Sequence, residues 1–181
     1  MRAIGYQRAS AVNAHNALEN ITLTEPTPKG FDLLVEVNAI SVNPVDTKIR
    51  ASSSATAGEY KILGWDAVGV VKAVGDKVSL FKVGDEVWYA GDISRSGSYA
   101  EYQLVDERIV GHKPQTLSYA QAAALPLTSI TAWELLFDRL GLPQDASATD
   151  ARILIIGAAG GVGSVLLQLA RQKTQLKVIG T

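Results

Sequence analysis

The stretch Arg152–Ser164, with the sequence RILIIGAAGGVGS, decides how this chain folds. A short apolar run leads into four glycines, a helical pattern follows over Gly163–Lys173, and a second apolar run comes at Leu176–Gly180. Strand, helix and strand in this order predict a β-α-β unit with two parallel strands. Continuous apolar runs are typical of strands covered on both faces, so we expect the first strand, Arg152–Ile156, to be buried on both.

The glycines after this strand predict a phosphate-binding turn. A parallel strand that turns sharply into a helix needs a positive φ, which glycine adopts without steric cost. A pyrophosphate can approach the backbone at Gly160 and accept amide hydrogen bonds at the positive end of the helix dipole, a contribution of about 0.3–1 kcal/mol at exposed sites. Gly163 lets the helix pack close to the strand. A tight turn that binds no ligand is the alternative.

One position departs from the G-x-G-x-x-G dinucleotide pattern. When Gly160 and Gly163 take the last two places of the pattern, the first place holds Ala158. An acidic residue about 20 positions further on usually selects NAD. No acidic residue lies between Gly163 and Thr181, so the residues themselves leave NADPH and NADH open.

Composition limits the classes of partner. The chain has 181 residues, 47% hydrophobic and 19% charged, with a formal net charge of −1. This near-neutral balance gives no electrostatic reason to expect nucleic acid or an anionic membrane, and it favours a small-molecule substrate. There are no cysteines, which excludes disulfides and thiolate-bound zinc. Met1–Tyr6 has no long apolar signal-peptide stretch, so we expect a cytoplasmic location.

Short strands and turn signals fill the chain from Met1 to about Gly111 and predict a partly closed β-barrel. Gly69 predicts a bend or bulge in its strand. The Ser/Ala/Thr cluster at Ala51–Ala57 is interpreted as a mobile loop. The predicted strands include Leu33–Val42, Asp66–Val74, Val83–Tyr89 and Gly97–Val105.

Helical signals begin after the predicted barrel. Ser118 is expected to cap a short helix that Pro126 ends. Either Thr128 or Ser129 is expected to cap a second helix, with Gly141 as its stop signal.

Five further motifs precede the glycine turn. They are Ser41–Asp46 (SVNPVD), Gly64–Gly69 (GWDAVG), Val83–Val87 (VGDEV), Gly97–Tyr102 (GSYAEY) and Ala122–Thr128 (AAALPLT). In this order, and together with the turn, they make the chain resemble the N-terminal part of the medium-chain dehydrogenase/reductase superfamily. The resemblance is to its quinone oxidoreductase-like branch, which includes zinc-type alcohol dehydrogenase-like proteins without zinc ligands.

The resemblance implies a mixed fold, in which a GroES-like partial β-barrel precedes the first β-α-β unit of a Rossmann domain. The implied divisions are a GroES-like catalytic domain over 1–125, a connecting helix and polar linker over 126–150, and the start of an NAD(P)-binding domain over 151–181. We expect the chain to stop partway through that domain. We also expect it to form a homo-oligomer or to be a fragment of a longer product, because two parallel strands leave edges uncovered. The 181 residues alone are expected to be inactive.

The residues at two of these motifs also indicate whether the chain can bind catalytic zinc. Members with catalytic zinc carry a Cys-His pair where this chain has Asn43-Pro44, and Gly-His-Glu where it has Gly64-Trp65-Asp66. Asn43 and Trp65 supply neither thiolate nor imidazole, so bound zinc is not expected. The resemblance then implies metal-free hydride transfer from NADPH to a quinone or an activated enone or carbonyl, with NADH not excluded. A zinc-dependent alcohol dehydrogenase, and a non-catalytic fragment or binding protein that keeps the fold, are the alternatives.

Roles follow from the resemblance for individual residues. Asn43 is the candidate substrate-facing amide, and Asp46 fixes the network around it, although Asn43-Pro44 is also an ordinary turn signal and Asp46 can serve nearby amides alone. Thr128 is expected on the nicotinamide side of the cofactor. A tyrosine often stands two places after Asp46 in the family, but here that place holds Lys48. The remaining cofactor-binding candidates are Gly157, Ala158, Gly160, Gly161, Val162 and Gly163.

Overall fold

The computed structural model describes residues 1–11, 13–15, 17–144 and 151–181. They divide into two compact units, Met1–Pro126 and Leu127–Thr181. Residues 145–150 of the predicted linker lie outside the described part. No helix in the described part has the length and apolar character needed to cross a bilayer.

Strands dominate the first unit and helices the second. The strands are β1 (Arg2–Tyr6), β2 (Glu19–Thr22), β3 (Asp32–Ser41), β4 (Lys61–Ile62), β5 (Asp66–Val74), β6 (Glu86–Ala90), β7 (Tyr102–Asp106), β8 (Val110–His112), β9 (Arg152–Ile155) and β10 (Lys177–Gly180). The α-helices are α1 (Pro44–Ser52), α2 (Tyr119–Ala123), α3 (Pro126–Glu134), which continues as a π-helical segment over Leu135–Arg139, and α4 (Gly161–Lys173).

Two antiparallel sheets form the first unit, in the strand orders β2-β1-β4 and β7-β3-β5-β6-β8. Apolar side chains from β3, β5, β6 and β7 make the core of the larger sheet. The predicted irregularity at Gly69 is confirmed, because the β3–β5 register shifts between Val37 and Ala39, next to the Val37–Gly69 pair. A side-chain carbon (Cβ) on Gly69 would lie 2.1 Å from the carbonyl oxygen of Glu36, so only glycine fits at this approach.

The predicted strand Gly97–Val105 is divided between the two sheets. The Ile4 N–H donates to the Tyr99 carbonyl at 2.8 Å, and the Glu101 N–H donates to the Arg2 carbonyl at 3.0 Å. From Tyr102 the chain pairs with β3 instead. This change of partner joins the two sheets, and β7 therefore starts later than the alternation of the sequence predicts.

Helix α1 was not predicted from the sequence, in which Asn43-Pro44 is an ordinary turn signal as well as part of the candidate site, and Ala51–Ala57 is interpreted as a loop. Asn43 is instead the N-cap residue, and Pro44 opens the helix. Proline suits this position because its φ is already helical and its missing N–H has no partner there. Ala51 and Ser52 form the last helical residues rather than a loop.

The predicted caps are confirmed at Ser118 and wrong at Thr128 and Ser129. The Ser118 hydroxyl accepts from the Gln121 N–H, as in a capping box. Helix α3 begins two residues before Thr128, at Pro126, because proline opens this helix as well instead of only ending α2. Gly141 takes a positive φ of 62° after the π-helical segment, as a stop residue should.

The second unit contains the predicted β-α-β arrangement, in which β9 and β10 pair in parallel. Ile155 packs with Leu166 and Ala170 of α4. Burial on both faces of the first strand is wrong for the described residues, since Leu154 is 59% exposed and Ile156 is 83% exposed. Helices α3 and α4 cover the face that carries Ile155, and no described element of this unit covers the opposite face.

We predict that Gly69→Ala destabilises the first unit by about 1–3 kcal/mol, because the added methyl group meets the Glu36 backbone, which cannot rotate away. Urea unfolding followed by tryptophan fluorescence measures the loss. Gly91→Ala is the matched control, since its Cβ would be 3.4 Å from the nearest atom, an ordinary contact. Equal unfolding midpoints for the two variants would contradict the steric argument.

Candidate functional site

The turn between β9 and α4 is built around Gly157. This residue has a φ of 74°, in the left-handed region that favours glycine. The Gly160 N–H donates to the Gly157 carbonyl at 3.0 Å, and the Ala158 N–H donates to the Thr181 carbonyl at 2.9 Å. These two bonds close the turn and attach it to the end of β10.

Gly163 allows α4 to approach this turn. A Cβ on Gly163 would lie 2.2 Å from the Gly157 carbonyl oxygen and 2.8 Å from the Ala158 Cα. The expected role of Gly163 in close helix–strand packing is therefore confirmed. Gly157, Gly160 and Gly161 are exposed, so no side chain of the described residues plugs the start of the helix.

The start of α4 bears on the predicted approach of a pyrophosphate at Gly160. The N–H of Gly160 already donates within the turn, so this amide is not available to a pyrophosphate. The first N–H groups of any α-helix lack intrahelical acceptors, and in α4 they belong to Gly161, Val162 and Gly163. Gly160 itself is the N-cap residue, in an extended conformation. The N–H groups without an intrahelical acceptor thus belong to the three residues that follow Gly160.

Thr128 belongs to the same compact unit as the turn. Its Cγ2 methyl group lies 3.2 Å from the position that a Cβ on Gly161 would take. Thr128 therefore lies beside the N-terminus of α4. A larger residue at 161 would press against it.

The other two candidates, Asn43 and Asp46, lie at the start of α1 in the first unit. Asp46 is 2% exposed and Asn43 is 8% exposed. The Asp46 carboxylate accepts from the Asn43 backbone N–H at 2.6 Å and from the Gly64 backbone N–H at 3.2 Å. The Asn43 side-chain amide donates to the Asp66 carboxylate at 2.8 Å. These bonds hold Asn43 in one orientation between α1 and β5.

Tyr99, in the GSYAEY motif, is a further member of this network and is not among the candidates predicted from the sequence. Burial raises the pKa of Tyr99 above its ordinary value of 10.0, and the negative charge of Asp46 and a hydrogen bond to it raise the pKa further. The hydroxyl is therefore a neutral donor to Asp46. The GSYAEY motif was the available signal, but only the fold shows that Tyr99 reaches the carboxylate.

The neighbouring residues have structural roles. Trp65 is 3% exposed and belongs to a core cluster, and its indole N–H donates to the Asp92 carbonyl at 3.1 Å. Lys48 is exposed on α1, and His15 and His112 are exposed as well. Among the described residues, no three His, Cys, Asp or Glu side chains are arranged to hold a metal ion.

Comparison with known proteins agrees with this architecture. The alcohol dehydrogenase GroES-like domain family matches residues 29–115. A zinc-type alcohol dehydrogenase-like protein of Staphylococcus epidermidis is 44% identical over 182 residues, which cover 100% of this chain and 53% of that protein.

Solved structures extend the likeness to the second unit. A Rhizobium etli protein named as a zinc-dependent alcohol dehydrogenase superposes with a TM-score of 0.91 at 54% identity, over 99% of this chain and 52% of that one. The Escherichia coli quinone oxidoreductase, solved with NADPH, gives a TM-score of 0.79 at 29% identity, over 99% of this chain and 52% of that one.

The fold is thus a GroES-like barrel followed by the first β-α-β unit of a Rossmann domain, as the resemblance implied. The chain belongs to the medium-chain dehydrogenase/reductase superfamily and corresponds to the N-terminal part of its members. It spans about half the length of the relatives it matches.

We predict that the free energy of unfolding falls as the pH rises above about 10. Burial raises the pKa of Tyr89, and burial with Asp46 raises the pKa of Tyr99, whereas both ionise near 10.0 when unfolded. Above that pH the folded state binds more protons, so stabilisation that is complete below pH 10 is lost as the pH rises.

Urea titrations between about pH 8 and about pH 11 measure this loss. Tyr99→Phe removes one of the two groups and is expected to show a shallower decline. A constant free energy of unfolding across the range would contradict the prediction.

Proposed function

We propose that this chain is the nucleotide-binding and barrel portion of an NADPH-dependent oxidoreductase that transfers hydride, without a metal, to a quinone or an activated enone or carbonyl. The exposed glycine turn carries the proposal, because Gly160 and Gly161 leave the start of α4 open, where the first N–H groups of the helix have no intrahelical acceptor. Backbone amides at a helix N-terminus are suited to phosphate oxygens. The E. coli quinone oxidoreductase solved with NADPH supports the same assignment.

The residues of the second unit fit a dinucleotide. Gly161, Val162 and Gly163 would donate to the pyrophosphate, and the positive end of the α4 dipole would favour its charge. Lys177 begins β10, and no acidic residue occurs on that strand to repel a 2′-phosphate. The residues themselves leave NADPH and NADH open, so the preference for NADPH rests on the resemblance and on the NADPH-bound E. coli structure. A bound nicotinamide supplies the hydride.

In the first unit, the residues around Asn43 are arranged to hold its side-chain amide in one orientation. Asp46 and Asp66 fix the Asn43 side chain through backbone and side-chain hydrogen bonds. One N–H of the Asn43 side-chain amide donates to the Asp66 carboxylate. The second is directed at the Ser41 carbonyl, and the nitrogen–oxygen distance of 3.5 Å makes this the longer and weaker of the two contacts. The proposal requires the second N–H to exchange its long contact with Ser41 for an oxygen that becomes negative during reduction.

The donor chemistry supports a metal-free reaction over zinc catalysis. Zinc prefers thiolate and imidazole ligands, and Asn43 and Trp65 offer neither. The Asp46 oxygens are occupied by backbone N–H groups and by Tyr99. Quinones and enones are electrophilic enough to accept hydride without the Lewis acid that alcohol oxidation needs. Stoichiometric zinc found by metal analysis of the purified protein would favour the alcohol dehydrogenase alternative instead.

We predict that Gly160→Asp weakens NADPH binding at least about tenfold relative to Gly160→Asn, a difference of roughly 1.4 kcal/mol. Both side chains suit the N-cap position, so both variants are expected to keep α4 stable. Only the aspartate places a negative charge beside the phosphates. Fluorescence titration with NADPH measures the affinity, and thermal unfolding without nucleotide checks the fold.

Quinone-dependent oxidation of NADPH, measured on the longer oxidoreductase of which this chain is the proposed portion, tests the second half of the proposal, since the 181 residues alone are expected to be inactive. NADPH binding without oxidation would keep the nucleotide site and leave the acceptor unidentified. If neither NADPH nor NADH shifts the melting temperature of the unaltered chain, the nucleotide-binding assignment fails.

A further inference from the structure

Gly180, the last residue of β10, lies against the glycine turn. A Cβ on Gly180 would be 2.9 Å from the Ala158 Cβ and 3.2 Å from a terminal methyl carbon of Leu167. The Leu167 methyl group ends a flexible side chain and can move aside. The Ala158 Cβ has no torsion of its own and moves only with the backbone of the turn.

The backbone of α4 lies close to Ala158 on the other side of the turn and limits how far Ala158 can withdraw. A Cβ on Gly163 of α4 would lie 2.8 Å from the Ala158 Cα, so the helix and the turn come this close only because residue 163 is a glycine. The Ala158 N–H is also tied to the Thr181 carbonyl at 2.9 Å, one residue beyond Gly180. The turn is therefore held between a glycine of the helix and a glycine of the second strand.

We propose that Gly180 is a positioning residue of the glycine turn whose size is matched to Ala158. The dinucleotide pattern places glycine where this chain has Ala158, and the extra methyl group fits because the facing residue on β10 has none. The two positions are coupled in size, so that only one of them can carry a side chain.

The coupling reaches the anion-binding amides through the turn. Displacing Ala158 moves Gly157, whose carbonyl accepts from the Gly160 N–H at 3.0 Å. Gly160 is the N-cap of α4, so its movement re-aims the first-turn amides that follow. Gly180 thereby controls the geometry of the proposed nucleotide site while contributing no side chain to it, and the inference rests on that proposed function.

The experiment compares the full chain with three variants, Gly180→Ala, Ala158→Gly and the double variant. Gly91→Ala is the matched control, because the Cβ it adds meets only ordinary contacts, in the other compact unit. NADPH affinity is measured by fluorescence titration, and the backbone amide resonances of residues 157–163 are followed by NMR.

Gly180→Ala is expected to weaken NADPH binding about tenfold, or roughly 1.4 kcal/mol, and to shift the amide resonances of the turn. Ala158→Gly on the same chain is expected to restore both, since it removes the opposing methyl group. Rescue distinguishes positioning from a general loss of stability. Unchanged binding in Gly180→Ala, or a double variant no better than Gly180→Ala, overturns the inference.

Failure of the proposed function gives a different result. If the unaltered chain does not bind NADPH, the nucleotide site is wrong, and the amide resonances still decide the steric coupling. Resonances that shift in Gly180→Ala and return in the double variant support the coupling. Resonances that do not shift, or that shift without returning, overturn it.

Discussion

The carbonyl oxygen of Gly157 occupies the space into which any side chain at Gly163 would project. This contact sets how closely α4 approaches the end of β9. The close approach brings Leu166 and Ala170 onto Ile155 and so creates the core of the second unit. It also fixes the direction in which the first amides of α4 point. Packing and the proposed anion binding thus depend on the same two glycines, and a substitution at either position would affect both.

In the first unit, the buried carboxylate of Asp46 is the group on which several hydrogen bonds converge. A buried charge without partners is expensive, and none of the described contacts of Asp46 is with a cation. Backbone N–H groups of Asn43 and Gly64 and the Tyr99 hydroxyl donate to it instead. Under the proposed function, dipoles aimed at an anion therefore organise both units. In the first unit the anion is the chain's own side chain, whereas in the second the dipoles face outward.

Local sequence patterns were sufficient to predict the structure where a single interaction fixes the backbone conformation. The glycine turn, the Ser118 cap and the bulge near Gly69 each follow from backbone geometry that few residues satisfy. The dipeptide Asn43-Pro44 suits both a turn and a helix start, and only the hydrogen bond from the Asn43 N–H to Asp46 separates the two, so helix α1 could not be predicted from this pattern.

Features that depend on contacts between distant segments could not be predicted from the sequence. The contact of Tyr99 with Asp46 joins segments more than fifty residues apart, and the occupied Gly160 amide depends on how the turn closes. Exposure of Leu154 depends on which neighbours cover β9, which an apolar run does not specify.

The Asn43–Asp66 hydrogen bond explains how this family member joins α1 to β5. In zinc-containing relatives the corresponding places hold a Cys-His pair and a Gly-His-Glu motif, so a metal ion can connect them. Here an amide and a carboxylate 2.8 Å apart make the connection directly. A hydrogen bond to a buried carboxylate is directional and stronger than a neutral one, which makes it adequate for holding one side-chain orientation. Under the proposed metal-free chemistry, the same positions keep a positioning role while the reaction shifts toward acceptors that need no Lewis acid.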